Sequence, residues 1–152
     1  MEITLTTFII AILYDYKCIY SFREGQQVDI VEIFKALADE TRIRMLNVLR
    51  RGELCVRDFE AVLDIQQSNA SRHLNKLKSA GIIVSRKNSQ WVYYRFNDRI
   101  FRRFPFLTII IEDEIGRISV CKKDLARLEE HKLSSTSENG PRMLKSVGRA
   151  NY

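Results

Sequence analysis

Apolar residues recur at helical spacing from residue 30 onward and predict two short amphipathic helices. The spacing i, i+3, i+4, i+7 places side chains on one helix face, and in the first helix these residues are Ile30, Ile33, Phe34 and Leu37. Asp39 is then expected to cap a second helix, which Gly52 ends. The apolar stripe of this second helix consists of Ile43, Leu46, Val48 and Leu49.

The pattern continues through two more helices and then changes to that of strands. A third helix is predicted over residues 53–63 and a fourth over 68–80, with Gly81 at its C-terminal end. The buried side of the fourth helix is expected to carry Ala70, Leu74 and Leu77. Apolar alternation over 82–86 and 91–96, separated by the polar segment 87–90, predicts a β-hairpin.

Beyond Pro105 the chain again becomes apolar and predicts one long helix. Its apolar residues are Leu107, Ile110, Ile111, Ile115 and Ile118. A last amphipathic helix over 119–133 holds Leu125, Leu128 and Leu133. Residues 134–152 are rich in turn formers and lack apolar periodicity, so we expect a disordered tail there. No apolar run is long enough to cross a membrane, so no membrane partner is expected.

The order helix, helix, short turn, helix, hairpin is that of a winged helix-turn-helix domain. We therefore predict a mostly α fold with a β-hairpin wing, whose folded unit of residues 28–133 consists of a winged helix-turn-helix DNA-binding domain over 28–118 and a C-terminal helix over 119–133. The long apolar helix presents apolar side chains on several sides, namely Phe106, Leu107, Ile109, Ile110 and Ile111. Since one small domain cannot cover all of these, we expect a homodimer that associates through its terminal helices.

Basic residues concentrate on the part of this fold that would face DNA. The 152 residues carry 25 Lys and Arg against 19 Asp and Glu, a net charge of +6. Residues 68–103 hold nine basic side chains and one acid, whereas the other 116 residues sum to −2. In a winged helix-turn-helix, the fourth helix would read the major groove and the hairpin would follow the backbone. Fold order and charge therefore both predict binding to double-stranded DNA.

The remaining composition narrows the class of protein. Three cysteines are too few for a disulfide scaffold, so a reducing, cytoplasmic location is expected. The chain has two histidines and contains none of the familiar nucleophile, phosphate-loop or zinc-protease motifs. We therefore do not expect an enzyme.

Several segments, in the correct order, resemble ArsR-type (ArsR/SmtB) winged helix-turn-helix metalloregulators. They are FKALADETRIRMLNVL (34–49), ELCVRD (53–58), SRHL (71–74), LKSAGI (77–82) and WVYYRF (91–96). The resemblance covers about residues 28–118. It implies a homodimeric cytoplasmic repressor that binds a palindromic operator and releases it when a toxic metal or metalloid binds.

Eight residues are predicted to contact DNA. Gln67 and Ser68 begin the fourth helix, where free backbone N–H groups favour phosphate. The resemblance implies DNA contact at Gln67, Ser71, Arg72 and His73, and Lys76 lies off the apolar stripe. Arg72 has the geometry to read guanine. Arg86 and Lys87, expected at the tip of the wing, would bind phosphate without sequence preference.

The resemblance places the sensor at Cys55. In arsenic-sensing relatives the matching motif is Glu-Leu-Cys-Val-Cys-Asp, whose two thiols suit As(III) or Sb(III). This chain keeps Cys55 but has Arg57 in place of the second cysteine. A second thiolate would then come from Cys121, Cys18 or a cellular thiol, and Arg57 could lower the pKa of a neighbouring thiol. No cofactor is obligatory, and the long helix lacks the histidine of a zinc site.

Two alternatives remain open at this point. In the first, the metal site has been lost, which leaves a repressor that responds to thiol oxidation or has no inducer. In the second, the winged helix is a protein-interaction module, although such a module would not need the basic excess. Residues 1–27 precede the usual start of the family, and Val28 is a residue that GTG can encode. We therefore hypothesise that residues 1–27 are not native, which the codons of the gene would decide.

Overall fold

The computed structural model describes residues 29–135, which form seven α-helices and one three-stranded antiparallel sheet. The α-helices are α1 (Ile30–Leu37), α2 (Glu40–Leu49), α3 (Val56–Leu63), α4 (Gln67–Ser79), α5 (Asp98–Arg103), α6 (Phe106–Ile109) and α7 (Ser119–Ser135). The strands are β1 (Leu54–Cys55), β2 (Ile83–Asn88) and β3 (Trp91–Phe96). Helices α3 and α4 followed by the β2–β3 hairpin confirm the predicted winged helix-turn-helix order. The hypothesis about residues 1–27, including Cys18, and most of the predicted tail lie outside the described residues.

The first two helices begin at aspartate caps. The Asp29 carboxylate accepts a hydrogen bond from the Val31 N–H at 2.9 Å, and Asp39 accepts one from the Arg42 N–H at 3.0 Å. A carboxylate at this position satisfies a backbone donor and the helix dipole together. The predicted cap at Asp39 is therefore confirmed.

The sheet differs from the prediction in two respects, an additional strand and a shorter hairpin turn. The predicted third helix over 53–63 begins only at Val56, because Leu54 and Cys55 pair with Tyr94 and Tyr93 of β3. The hairpin turn is also shorter than expected. Asn88 pairs with Trp91, which leaves Ser89 and Gln90 as a two-residue turn with Ser89 at φ 53°.

The core lies between the helices and one face of the sheet. Its fully buried side chains include Met45, Leu46, Phe59, Leu63, Leu74, Leu77, Ile82 and Leu107. The predicted inner side of α4 is confirmed, since Ala70, Leu74 and Leu77 are all buried. The apolar stripe predicted for the first helix is only partly confirmed. Ile33 and Ala36 are the buried residues of α1, whereas Ile30 and Phe34 are exposed.

The long apolar helix predicted after Pro105 is broken into pieces. Helix α6 continues as a π-helical turn over Ile110–Glu114 and a 3₁₀ turn over Ile115–Arg117, and Ile118 is extended. The guanidinium of Arg50 donates to the carbonyl of Glu112 at 3.0 Å and so takes an acceptor from the helical ladder. Gly116 leaves room for it, because a Cβ there would lie 2.9 Å from Arg50 Nη1.

Helix α7 is longer than the predicted segment over 119–133 and runs to Ser135. It packs on α2 and α3 through Cys121, Asp124 and Leu128, all of them fully buried. Leu133 is 77% exposed, which corrects its placement on the apolar side. None of the helices in residues 29–135 combines the length and apolar character that crossing a membrane requires.

Candidate nucleic-acid interface

The first turn of α4 offers backbone donors to an anion. Its N-cap residue, Gln66, makes no side-chain hydrogen bond to the helix, and the first turn carries no acid. Gln67 and Ser68 are both exposed there. The open N–H groups and the positive end of the helix dipole together favour a phosphate oxygen.

Two basic side chains follow along the outer face of α4. Arg72 is exposed, and its Nη2 donates to the Asn69 Oδ1 atom at 2.9 Å. Because asparagine is neutral, this bond orients the guanidinium without cancelling its charge. Lys76 is also exposed, but its Nζ lies 3.1 Å from the Glu32 carboxylate of α1. Ser71, which directly precedes Arg72, is half-buried.

His73 is buried and does not lie on the outer face of α4 with Arg72, so its DNA contact stays a prediction. Its side chain is 9% exposed, and Nδ1 lies 3.5 Å from both Asp39 Oδ1 and Arg42 Nη1. Burial is the main cause that lowers the pKa of His73, and the nearby Arg72 and Arg42 charges lower it further. His73 thus packs α4 against the α1–α2 connection.

The assignment of Arg86 to the wing tip also needs correction. Arg86 pairs with Tyr93 three residues before the Ser89–Gln90 turn, and its guanidinium lies 5.5 Å from the centre of the Tyr93 ring. Its Nη2 atom is 2.6 Å from the Glu53 carboxylate, which also lies 3.7 Å from Arg95. Lys87 is exposed on the opposite face of the hairpin.

One exposed cation near the wing was not among the predicted DNA contacts. The guanidinium of Arg57, at the start of α3, lies 5.3 Å from the centre of the Trp91 ring on β3. Sequence spacing gives no signal for this contact, because the two residues are brought together only by the pairing of β1 with β3. The same pairing explains why Glu53 was overlooked as the partner of Arg86.

Cys55 lies at the joint between the sheet and α3. It is the N-cap residue of α3 and is 1% exposed. The Cys55 N–H donates to Asp58 Oδ2 at 2.7 Å, and the other oxygen of Asp58 is 3.1 Å from His131 Nε2. Burial, followed by the charge of Asp58, raises the pKa of Cys55 to about 11. The backbone N–H of Arg57 does lower this pKa, but burial and Asp58 outweigh it, so the pKa rises where the sequence led us to expect a fall.

Cys121 is also buried but has different surroundings. Its carbonyl accepts a hydrogen bond from Asn47 Nδ2 at 2.8 Å, and burial raises the pKa of its thiol. Both cysteines are free thiols. Across residues 29–135, no group of three or more His, Cys, Asp or Glu side chains is arranged to hold a metal ion.

Comparison with known proteins identifies the family. Residues 39–85 match the model of the bacterial regulatory proteins of the ArsR family. A cadmium resistance transcriptional regulatory protein CadC homolog from Staphylococcus aureus is 35% identical over 92 residues, which are 60% of this chain and 76% of that protein. The chain belongs to the ArsR family.

Other ArsR-family relatives are similar over a shorter length. The arsenic resistance transcriptional regulator ArsR1 of Pseudomonas putida is 48% identical over 69 residues, which are 45% of this chain. The chain thus spans about half, 54%, of the length of that relative. Among solved structures, a homodimeric winged helix-turn-helix DNA-binding domain from Mycobacterium bovis, described as a possible ArsR-family regulator, is 25% identical with a TM-score of 0.48. The match covers 60% of this chain and 92% of that one.

Proposed function

We propose that this ArsR-family protein is a homodimeric repressor that binds operator DNA in the cytoplasm and releases it when an inducer binds. The observation that carries the proposal is the outer face of α4. It combines an open, acid-free first turn with an exposed, oriented Arg72. This arrangement suits insertion into the major groove, with the first turn against phosphate and the guanidinium against base edges.

The wing supports the same orientation. Lys87 is exposed near the turn of the hairpin and makes no ion pair among the described residues. A hairpin beside a recognition helix lies along the DNA backbone in winged helix-turn-helix proteins. Phosphate contacts there would add affinity without sequence preference.

A dimer would place two α4 helices on one palindrome. The Phe34 ring of α1 stacks on Phe106 of α6 at 5.6 Å, so the exposed apolar residues of these helices form one surface. We call this the α1–α6 patch, and its exposed members are Ile30, Val31, Phe34 and Ile109. Two-fold symmetry through this patch would set half-sites about 10 bp apart.

Fewer residues of α6 and the turn after it are available to a dimer interface than the sequence predicts. Leu107 and Ile111 are fully buried in the core of the same chain, and Phe106 and Ile110 are half-buried. The Glu32–Lys76 ion pair also links α1 to α4. A change at the dimer interface would therefore have a direct route to the DNA-reading helix.

For the inducer, we propose a trivalent arsenic or antimony species with Cys55 as its indispensable ligand. Cys55 caps α3, the helix before α4, and pairs with Tyr93 of the wing, so a bond to its sulfur would act on the wing directly and on α4 through α3. At neutral pH the thiol is protonated, and condensation with arsenite would join sulfur to arsenic and release water. One thiolate is a weak site, so Cys121, Cys18 or a cellular thiol would supply the second.

Specific observations favour the alternative of a repressor whose metal site has been lost. Arg57 replaces the second thiol of the sensor motif, and Cys55 is buried with a raised pKa. Such a protein would bind operator DNA but keep it when arsenite is added. The two proposals share DNA binding and differ only in release.

The experiment is a gel shift with the DNA upstream of the gene, first without ligand and then with arsenite, antimonite, Cd(II), Zn(II) or oxidant. We expect the wild-type chain to bind and arsenite to weaken binding. Arg72→Ala should lower affinity by about 1–3 kcal/mol and relax preference at one base pair. Failure of the wild-type chain to bind any duplex at low salt would leave only the protein-interaction module.

Cysteine variants test whether release by arsenite requires Cys55 and Cys121. Cys55→Ser should bind the operator as the wild type does but stay bound with arsenite. Cys121→Ser should release less well if Cys121 completes the site and should behave as wild type if it is structural. Equal arsenite response in wild type and Cys55→Ser would exclude the role of Cys55, whereas no response in either would identify the lost-site alternative.

A further inference from the structure

Arg57 is fixed beside the end of the wing. It lies in the first turn of α3, two residues after Cys55, whose backbone pairs with Tyr93. This pairing carries Arg57 to the level of Trp91, where the guanidinium lies over the indole. Trp91 itself pairs with Asn88 in the last step of the ladder before the turn. The charge of Arg57 is thus held beside the turn of the hairpin.

The other arginines on this side of the hairpin are already neutralised. Trp91, Tyr93 and Arg95 alternate along β3 and therefore share one face. Arg86 lies opposite Tyr93, and the Glu53 carboxylate contacts both Arg86 and Arg95. Arg95 also lies 3.3 Å from Asp98. These ion pairs reduce the charge that Arg86 and Arg95 can offer to a phosphate.

In contrast, no carboxylate of the described residues pairs with the Arg57 guanidinium. Arg57 is exposed, and within the described part of the chain its guanidinium makes neither an ion pair nor a hydrogen bond. Stacking on an aromatic ring orients a guanidinium but satisfies none of its five N–H donors. The donors of Arg57 are consequently free for an external acceptor, and the Trp91 ring limits the entropy lost when that acceptor binds.

We propose that Arg57, held on Trp91, is a phosphate-binding residue that extends the DNA interface from the wing onto α3. The inference rests on the proposed DNA-binding function and deepens it. The ligand is a phosphate of the duplex backbone flanking the groove that α4 enters. Because the contact is to phosphate, it adds affinity on every sequence and contributes nothing to the choice of operator.

The test measures binding of a fluorescent duplex by anisotropy over a range of salt concentrations. Removing one phosphate contact with Arg57→Gln should reduce the slope of log affinity against log salt by about 0.9 and cost about eightfold in affinity at about 0.1 M salt. The loss should be equal on operator and unrelated duplexes. Since Arg57 is exposed and unpaired, the melting temperature of the variant should match that of the wild type.

A matched control separates this contact from net charge. Arg117→Gln removes the same charge from an exposed arginine that pairs with Glu114 outside the helix-turn-helix and wing, and it should leave the salt slope unchanged. Trp91→Phe keeps a ring under Arg57 and should retain the slope, whereas Trp91→Leu should lower affinity less than Arg57→Gln does. Arg57→Lys should keep the slope but bind more weakly, since an ammonium stacks less well.

The outcomes distinguish the two proposals. If the wild-type chain fails to bind duplex DNA at low salt, the proposed function itself is wrong. If the wild type binds and Arg57→Gln shows the same slope and affinity, Arg57 is not a DNA contact and its stacking on Trp91 is only structural. An equal loss in Arg57→Gln and Arg117→Gln would likewise overturn the proposal, because it would reflect total charge.

Discussion

His73 shows how a polar residue in a recognition helix can serve the protein interior. It follows Arg72 directly, yet its ring is buried against Asp39 and Arg42 while Arg72 is exposed. Arg42 in turn donates to the carbonyls of Lys35 and Ala36, which close the α1–α2 connection. The position of α4 therefore depends on a titratable group inside this junction.

We predict that His73 makes the fold less stable as the medium becomes acidic. Because the pKa of His73 is lowered on folding, the unfolded chain binds a proton more readily than the folded one. The stability contributed by neutral His73 is present above its usual pKa of 6.5 and is lost as pH falls below it. Urea unfolding at about pH 7.5 and about pH 5.5 should show a larger loss in wild type than in His73→Gln.

The variant retains the other histidine of the chain, so the difference between the two pH dependences isolates His73. Glutamine can still hydrogen bond to Asp39 and Arg42. The prediction fails if both proteins lose the same free energy of unfolding over this pH interval.

At the scale of elements, α7 is held to the winged helix by a buried ion pair. Two nitrogens of Arg44 in α2 donate to the Asp124 carboxylate at 2.7 and 2.8 Å, and Arg44 also donates to the carbonyl of Leu63 at the end of α3. Asp124 is fully buried, and its hydrogen bond raises the pKa of Arg44. Three helices thus meet at one guanidinium.

Asp124→Ala should lower the free energy of unfolding by about 3–5 kcal/mol, because it leaves the Arg44 charge buried without its partner. The matched control is Glu114→Ala, which breaks the exposed pair with Arg117 and should change stability by less than about 0.5 kcal/mol. The double variant Arg44→Met, Asp124→Leu should recover most of the loss, since neither charge then remains. Denaturant unfolding checks all three, and equal stability of Asp124→Ala and Glu114→Ala would contradict the prediction.

The elements that the sequence predicted correctly depend on local signals. The cap at Asp39, the inner side of α4 and the two hairpin strands each follow from residues within a few positions of one another. The features that were missed depend on distant contacts. Strand β1 exists only because Leu54 and Cys55 pair with β3, and the long helix is irregular where Arg50, distant in the chain, binds the carbonyl of Glu112.

The candidate site follows the same division. Exposure of Gln67, Ser68 and Arg72 could be predicted from the helical period of α4, because each lies away from the apolar stripe. The burial of His73 could not, since a stripe defined by apolar residues does not include a histidine that packs on another element. Likewise, neither the neutralisation of Arg86 by Glu53 nor the stacking of Arg57 on Trp91 has a signal in sequence spacing.

At the scale of the whole molecule, the α1–α6 patch is the feature that a single described chain leaves unexplained. Phe34 and Ile109 are 51% and 59% exposed, and the stack of Phe34 on Phe106 joins the two helices into one apolar surface. Contiguous apolar surface of this kind marks an association site. The proposed binding to operator DNA favours a second copy of the chain as the occupant, because a palindrome requires two-fold symmetry.

We therefore predict that Phe34→Glu and Ile109→Glu each convert a dimer into a monomer, since every interface between two copies would bury two new charges. The control is Leu133→Glu, a charge added to an exposed apolar residue of α7 that lies outside the patch, and it should remain dimeric. Sedimentation equilibrium at micromolar concentration distinguishes the two states.

Deletion of residues 1–27 is a second experiment, because these residues precede α1 and could cover the patch themselves. A wild-type monomer that dimerises only after this deletion would show that the patch is covered from within the chain, and a dimeric Phe34→Glu variant would place the interface elsewhere.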